Sequence, residues 1–140
     1  MTHKVHPTPP RTVVVADDDP AWRLLVRLLL EPHGFQLVEA CDGVDALRAV
    51  QLYTPLVLVL DLKMPRLGGA EVCQHLRAVR AHPRPGIIVM TATDLADLPT
   101  GAAIGADKLL TKPFDPAKLL ATVEALAARR REFSDTDLAA

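Results

Sequence analysis

Acidic side chains stand where two short apolar runs of the chain end. Residues 13–16 are apolar and lead into residues 17–19, which are all Asp, and the apolar residues 56–60 lead into Asp61. Runs this short and this rich in Val and Leu are typical of strands that are buried on both faces. In open parallel sheets the ligand crevice lies outside the carboxyl ends of the strands. We therefore expect these carboxylates to meet at one edge of a sheet.

Two further strand ends supply a hydroxyl group and an ammonium group, on Thr91 and Lys112. The carboxylates of Asp17, Asp18 and Asp61 would repel one another unless a cation neutralises them. Oxygen ligands without His or Cys suit a hard ion, so we expect Mg²⁺. A carboxylate beside Mg²⁺, an ammonium group and a hydroxyl donor can accept a phosphoryl group as an acyl phosphate.

The spacing of apolar residues predicts five strands that alternate with five helical stretches, which is the pattern of an α/β fold with a doubly wound parallel sheet. Pro99 and Gly101 fall inside the fourth helical stretch, where proline costs about 3 kcal/mol and glycine about 1 kcal/mol, so we expect a short or irregular helix there. Strands are expected at residues 12–16, 35–40, 57–61, 87–90 and 107–110, and helices at residues 20–32, 44–53, 69–81, 94–104 and 116–131.

Length and composition indicate one soluble domain in 140 residues with a formal net charge of −1. We expect a disordered, Pro-rich arm over residues 1–11, a folded domain over residues 12–132 and a C-terminal tail over residues 133–140.

The formal net charge of −1 argues against direct nucleic-acid binding. The absence of a long apolar run argues against a membrane span. Cys41 and Cys73 lie far apart, so reduced thiols in a cytoplasmic protein are expected.

Several short motifs also occur along the chain in one order. They are Asp17-Asp18-Asp19-Pro20, Asp42-Gly43, Asp61-x-x-Met64-Pro65-x-x-x-Gly69, Thr91-Ala92, Gly105-Ala106-Asp107 and Lys112-Pro113-Phe114. Over roughly residues 11–131 these motifs resemble the response-regulator receiver domains of two-component signalling, which are chemotaxis-regulator-like. The resemblance implies a flavodoxin-like sheet with the strand order 2-1-3-4-5.

The resemblance also implies a role for each site residue. Asp61 would be phosphorylated by a histidine kinase or a histidine phosphotransfer protein. Asp18, Asp61 and the backbone carbonyl of Lys63 would bind Mg²⁺ directly, and Asp17 would hold a metal-bound water. Lys112 would pair with the phosphoryl group, and the peptide bond that follows it would be cis.

These roles describe a stand-alone receiver rather than an enzyme, acting as a phosphorylation switch or relay on a downstream protein target, with a homodimer left open. One alternative is a pseudo-receiver that works as an interaction module without phosphorylation. It is favoured by Leu109, which stands where receivers usually carry an aromatic residue. Another is a Mg²⁺-dependent phosphohydrolase with an aspartyl-phosphate intermediate. Such enzymes need a second acid two residues after the nucleophile, where this chain has Lys63.

The first helix is apolar almost all round. Leu24 and Leu28 are expected to face outward, either as ordinary exposed leucines or as a docking face for a kinase partner. The residues expected to pack beneath this helix are Trp22, Leu25, Val26 and Leu29.

Overall fold

A computed structural model describes residues 10–79, 84–92 and 104–139 of the chain. Five parallel strands form one sheet in the order β2-β1-β3-β4-β5, which confirms the predicted doubly wound fold. The strands are β1 (Thr12–Ala16), β2 (Gln36–Ala40), β3 (Val57–Asp61), β4 (Gly86–Thr91) and β5 (Lys108–Thr111).

Four α-helices are present in these described segments, and a short 3₁₀ helix (Glu31–His33) follows the first of them. The α-helices are α1 (Pro20–Leu30), α2 (Gly43–Tyr53), α3 (Gly69–Ala78) and a C-terminal helix (Pro116–Ala139). Residues 94–103 of the predicted fourth helix, including Pro99 and Gly101, lie outside the described residues, as do residues 1–9 of the expected N-terminal arm.

The sheet is covered on both faces, and this explains why its strands read as continuous apolar runs. Successive side chains of a strand point to opposite faces. One set of alternate residues on β1, β3 and β4, which includes Val59, packs against α1 and the C-terminal helix. The other set, which includes Leu58, packs against α2 and α3. Both side chains are fully buried, so β3 lies at the centre of the core.

The start of α1 follows from its sequence. The Asp19 carboxylate accepts a hydrogen bond of 2.9 Å from the Ala21 N–H group, and Pro20 occupies the first helical position. This is a helix cap, in which an acidic side chain satisfies one of the N–H groups that the first helical turn leaves free.

The C-terminal helix is longer than predicted. It continues beyond Arg131 to Ala139, so most of the expected tail of residues 133–140 is helical backbone. The prediction ended the helix at Arg131, the last of three consecutive basic residues, but no glycine or proline follows Pro116 to end it. Without such a breaker the helical hydrogen bonds continue.

The outer side of α1 carries three exposed leucines, where the sequence predicted two. Leu24, Leu25 and Leu28 are 52%, 48% and 60% exposed, so the prediction that Leu25 is buried was wrong. The buried stripe is centred on Val26 and Leu30, and Leu25 lies about 100° around the helix from Val26.

None of the helices in the described part of the chain is long and apolar enough to span a bilayer.

Two leucines of α1 provide a matched test of this packing. Leu30 is fully buried against the sheet, whereas Leu28 faces solvent. We expect Leu30→Ala to lower the free energy of unfolding by about 2–5 kcal/mol, because it leaves a cavity in the core. Leu28→Ala should change it by less than about 0.5 kcal/mol. Urea unfolding of both variants measures the difference, and equal losses would contradict the packing described here.

Candidate functional site

A cleft of about 360 Å³ opens at the carboxyl ends of the strands. Asp17 follows β1, Asp61 ends β3, Thr91 ends β4 and Lys112 follows β5. Because the strands are parallel, these ends meet at one edge of the sheet, as predicted. The cleft is lined by Asp17, Asp18, Asp19, Trp22, Asp61, Lys63, Thr91, Ala92, Lys112 and Pro113.

The acidic side chains of the cleft lie against one another. Carboxylate oxygens of Asp17, Asp18 and Asp61 lie within 4.8 Å of one another. Asp17 is buried, Asp61 is partly buried and Asp18 is exposed. Like charges at this separation raise the free energy of the site unless they are neutralised.

One ammonium group partly neutralises them. The Lys112 Nζ atom donates a hydrogen bond of 2.6 Å to Asp17 Oδ2 and lies 3.4 Å from Asp61 Oδ2. Its side chain is only 8% exposed, so this pairing takes place largely out of water. Among the described residues, Lys112 is thus the one cation that forms ion pairs with this acidic cluster.

The electrostatic imbalance affects Asp61 itself. Its pKa is raised above the ordinary value because burial disfavours the carboxylate, and the negative charge of Asp17 adds to the effect. Lys112 opposes the rise through its charge and its hydrogen bond. The remaining negative charge in the cleft favours a further cation.

The ligand chemistry of this cluster suits magnesium. Asp17, Asp18 and Asp61 offer carboxylate oxygens, and neither His nor Cys lines the cleft among the residues the structure describes. Mg²⁺ prefers oxygen ligands and usually binds through a few carboxylates while retaining waters. Lys63, whose backbone carbonyl was predicted as a ligand, lines the same cleft. The residues present therefore fit the ion that the sequence predicted.

The backbone around Asp61 is fixed on both sides. The N–H group of Leu62 donates to the Met90 carbonyl at 3.1 Å, and the N–H group of Gly69 donates to the Leu62 carbonyl at 2.9 Å. A Cβ atom on Gly69 would lie 2.5 Å from the carbonyl oxygen of Asp61, so a side chain there would displace this backbone. The start of α3 thus rests directly on the end of β3.

The other predicted features of the cleft are also in place. Thr91 is buried at the end of β4 and lines the cleft. The Lys112–Pro113 peptide bond is cis, as predicted. Leu109 lies on β5 beside Val89 of β4 and packs on the side of the sheet that α2 and α3 cover.

Trp22 is a cleft residue that the sequence analysis assigned only to packing. The Lys112 Nζ atom lies 4.9 Å from the centroid of its ring, and the Phe114 ring centroid is 5.7 Å away. A cation over an indole face is held by the ring quadrupole. Because α1 begins immediately after the acidic residues, a side chain in its first turn reaches the cleft, and that position was the available signal.

Comparisons with known proteins agree on one family. The family model described as "Response regulator receiver domain" matches residues 13–124. The probable transcriptional regulator ycf27 of Cyanophora paradoxa is 40% identical over 85% of this chain and 49% of that protein. The response regulator MprA of Mycobacterium ulcerans is 41% identical over 91% of this chain and 54% of that protein. The chain thus spans about half the length of these relatives.

Solved structures show the same likeness. The receiver domain of the Francisella response regulator 1452 is 32% identical with a TM-score of 0.77, covering 85% of this chain and 98% of that one. Vibrio cholerae chemotaxis protein CheY4 is 30% identical with a TM-score of 0.74, covering 84% and 98%. With its acidic cleft, its strand order and this match across most of its length, the chain belongs to the response regulator receiver domain family.

Proposed function

We propose that this domain is a Mg²⁺-dependent phosphorylation switch in which Asp61 accepts a phosphoryl group from a histidine kinase or a histidine phosphotransfer protein. The observation that carries the proposal is the arrangement around Asp61. Its carboxylate lies in an open cleft, 3.4 Å from a buried ammonium group and beside two further carboxylates. Receiver-family membership supports the same chemistry.

Each of these residues has its own role in phosphoryl transfer. A carboxylate oxygen of Asp61 attacks the phosphorus of the phosphohistidine, a P–O bond forms, and the P–N bond to the donor breaks. The Lys112 ammonium group stabilises the negative charge on the transferred oxygens, and the Thr91 hydroxyl donates a hydrogen bond to one of them. Asp18, Asp61 and the Lys63 carbonyl would hold Mg²⁺ directly, and Asp17 would hold a metal-bound water. When it is bound, the ion neutralises the charge that develops on the phosphoryl oxygens.

The output is a changed affinity for a protein target, or transfer of the phosphoryl group onward in a relay. The relative from Mycolicibacterium smegmatis is named a DNA-binding response regulator. For the present domain, whose formal net charge is −1, we infer that protein contacts transmit the signal. A stand-alone receiver stays a prediction.

We place the contact with the phosphodonor protein on the outer side of α1. This helix begins at the acidic cleft, and its exposed side carries Leu24, Leu25 and Leu28. An apolar patch beside the phosphoacceptor suits a protein that must bring its phosphohistidine to Asp61.

One observation favours the pseudo-receiver alternative. Leu109 cannot act as the aromatic reporter that receivers usually carry at this position. The phosphohydrolase alternative has less support, because Lys63 stands where such enzymes carry the acid that protonates the leaving group. A stable phosphoryl adduct on Asp61 would support the switch, its absence would support the interaction module, and turnover of a generic phosphate ester would support the phosphohydrolase.

The first prediction concerns the acceptor. Incubation with Mg²⁺ and acetyl phosphate should add about 80 Da, the mass of one phosphoryl group, to the intact protein. Asp61→Asn should abolish the adduct. Asp19→Asn is the control, because Asn can keep the helix cap while the same charge is removed nearby. Intact-mass measurement decides, and an unmodified wild-type protein would support the interaction module.

The second prediction concerns the ion. Mg²⁺ that binds only the folded state should raise the stability of the wild-type domain, by about 2.7 kcal/mol at one hundred times the dissociation constant. Asp18→Asn should remove most of this gain because it removes a ligand. Thermal unfolding with Mg²⁺ and with a chelator measures the effect. If Asp18→Asn keeps the Mg²⁺-dependent gain in stability, the ion binds at a site other than this cleft.

The third prediction concerns docking. In a panel of purified histidine kinases, the double variant Leu24→Ser with Leu28→Ser should accept phosphoryl groups at least about tenfold more slowly from the best donor, since about 1.4 kcal/mol of apolar contact corresponds to one factor of ten. Its reaction with acetyl phosphate should not change.

Leu52→Ser is the control for this experiment. Leu52 is an exposed leucine on α2, across the sheet from α1. An unchanged rate in the α1 double variant, or an equal loss in Leu52→Ser, would remove the proposed docking face.

A further inference from the structure

The loop between β3 and α3, residues 62–68, contains a strained turn. Arg66 has a φ of 64°, in the left-handed region that side-chain-bearing residues rarely adopt. The Leu67 N–H group donates to the Pro65 carbonyl at 2.7 Å, a hydrogen bond that spans Arg66 alone. A three-residue turn with positive φ at its centre is strained and persists only where the surrounding structure holds it.

The guanidinium group of Arg66 connects this turn to the start of α2. Its Nε atom donates to Asp42 Oδ2 at 2.8 Å, and its Nη2 atom lies 2.8 Å from the same oxygen and 3.4 Å from Asp45 Oδ1. Although Arg66 is 57% exposed, the Asp42 side chain is only 9% exposed. A carboxylate this far removed from water depends on its partners, so the pair is more than a surface contact.

Asp42 is shared between two tasks. Its Oδ1 atom accepts a hydrogen bond of 2.8 Å from the Asp45 N–H group and caps α2, while its Oδ2 atom receives Arg66. The cap of α2 therefore holds the Asp42 carboxylate in place, and Arg66 attaches the loop to that same carboxylate.

Direct packing reinforces this connection. A Cβ atom on Gly43, the first residue of α2, would lie 2.1 Å from the Leu67 carbonyl oxygen. Only glycine allows the loop backbone to approach the helix so closely. The loop is thus pressed against α2 at Leu67 and held there by the adjacent Arg66.

We propose that Arg66 is a positioning residue for the phosphoacceptor site, and that its ion pairs with Asp42 and Asp45, the Arg66 clamp, hold the loop that presents Lys63 to the acidic cleft. Arg66 does not line that cleft and acts only through the loop. The inference rests on the proposed function, because the loop is expected to supply a backbone ligand for Mg²⁺. Without the clamp the loop should relax, and Mg²⁺ affinity should fall while Asp17, Asp18 and Asp61 remain in place.

A Mg²⁺ titration tests the clamp without any phosphoryl transfer. Trp22, the single tryptophan, lines the cleft and can report binding by fluorescence, with calorimetry as the second measurement. We expect Arg66→Ala to raise the dissociation constant for Mg²⁺ about three- to tenfold, less than the 10- to 100-fold typical of groups bonded directly to a metal ligand.

Arg48→Ala is the matched control for charge. Arg48 is exposed on α2, and among the described residues it forms no ion pair. The Arg48→Ala variant loses the same charge as Arg66→Ala. If only the clamp matters, its dissociation constant for Mg²⁺ should stay within about twofold of the wild-type value. Arg66→Lys should recover part of the affinity, because an ammonium group keeps the charge but cannot reproduce the planar fork.

Coupling to Asp45 provides a second measurement. Asp45→Ala alone should weaken Mg²⁺ binding slightly, and adding it to Arg66→Ala should have no further effect, because the partner is already absent. Additive losses would show that Arg66 and Asp45 act separately and would overturn the clamp.

The outcomes separate this inference from the proposed function. Wild-type protein that binds no Mg²⁺ would remove the proposed metal-dependent function. Wild-type protein that binds Mg²⁺ while Arg66→Ala and Arg48→Ala behave alike would remove the clamp alone. Reduced affinity in Arg66→Ala with partial recovery in Arg66→Lys would support it.

Discussion

The structure depends on the repulsion among the carboxylates of Asp17, Asp18 and Asp61 and on the ammonium group that moderates it. Lys112 is the only cation buried among them in the described residues, and it binds Asp17 more closely than Asp61. Such a cluster of like charges is unfavourable for folding. The surrounding sheet must therefore be stable enough to hold these groups together.

The sheet meets this demand by burying its central strands completely. The strand β3 pairs with β1 on one side and β4 on the other, and helices cover both faces. Asp61, the proposed acceptor, is the last residue of that strand, so the packing of the core extends to the edge of the cleft. Further hydrogen bonds from the N–H groups of Leu62 and Gly69 fix the chain as it leaves the strand.

The sequence was sufficient to predict the strands and the acidic cleft for physical reasons. An apolar run that ends in Asp61 reports burial on both faces and an exposed end, and parallel connections bring such ends together. The cap formed by Asp19 is a local effect and was equally predictable. Each of these features is indicated by residues that lie close together in the sequence.

Features that depend on tertiary docking were missed or mistaken. The exposure of Leu25 follows from the angle at which α1 packs on the sheet, and the approach of Trp22 to Lys112 depends on the same docking. The hydrogen bond between Arg66 and Asp42 joins residues 24 positions apart, and no local pattern marks it. The extra turns of the C-terminal helix reflect the absence of a stop signal, which basic residues do not supply.

The contact between Gly69 and the carbonyl oxygen of Asp61 has a consequence for which positions after β3 can change. A methyl group at that position would collide with the backbone of Asp61, so any side chain there would displace the end of β3. Lys63, two residues beyond the acceptor and exposed at the rim, carries no comparable steric restriction. Change at position 63 therefore leaves the backbone of Asp61 in place, whereas change at position 69 does not.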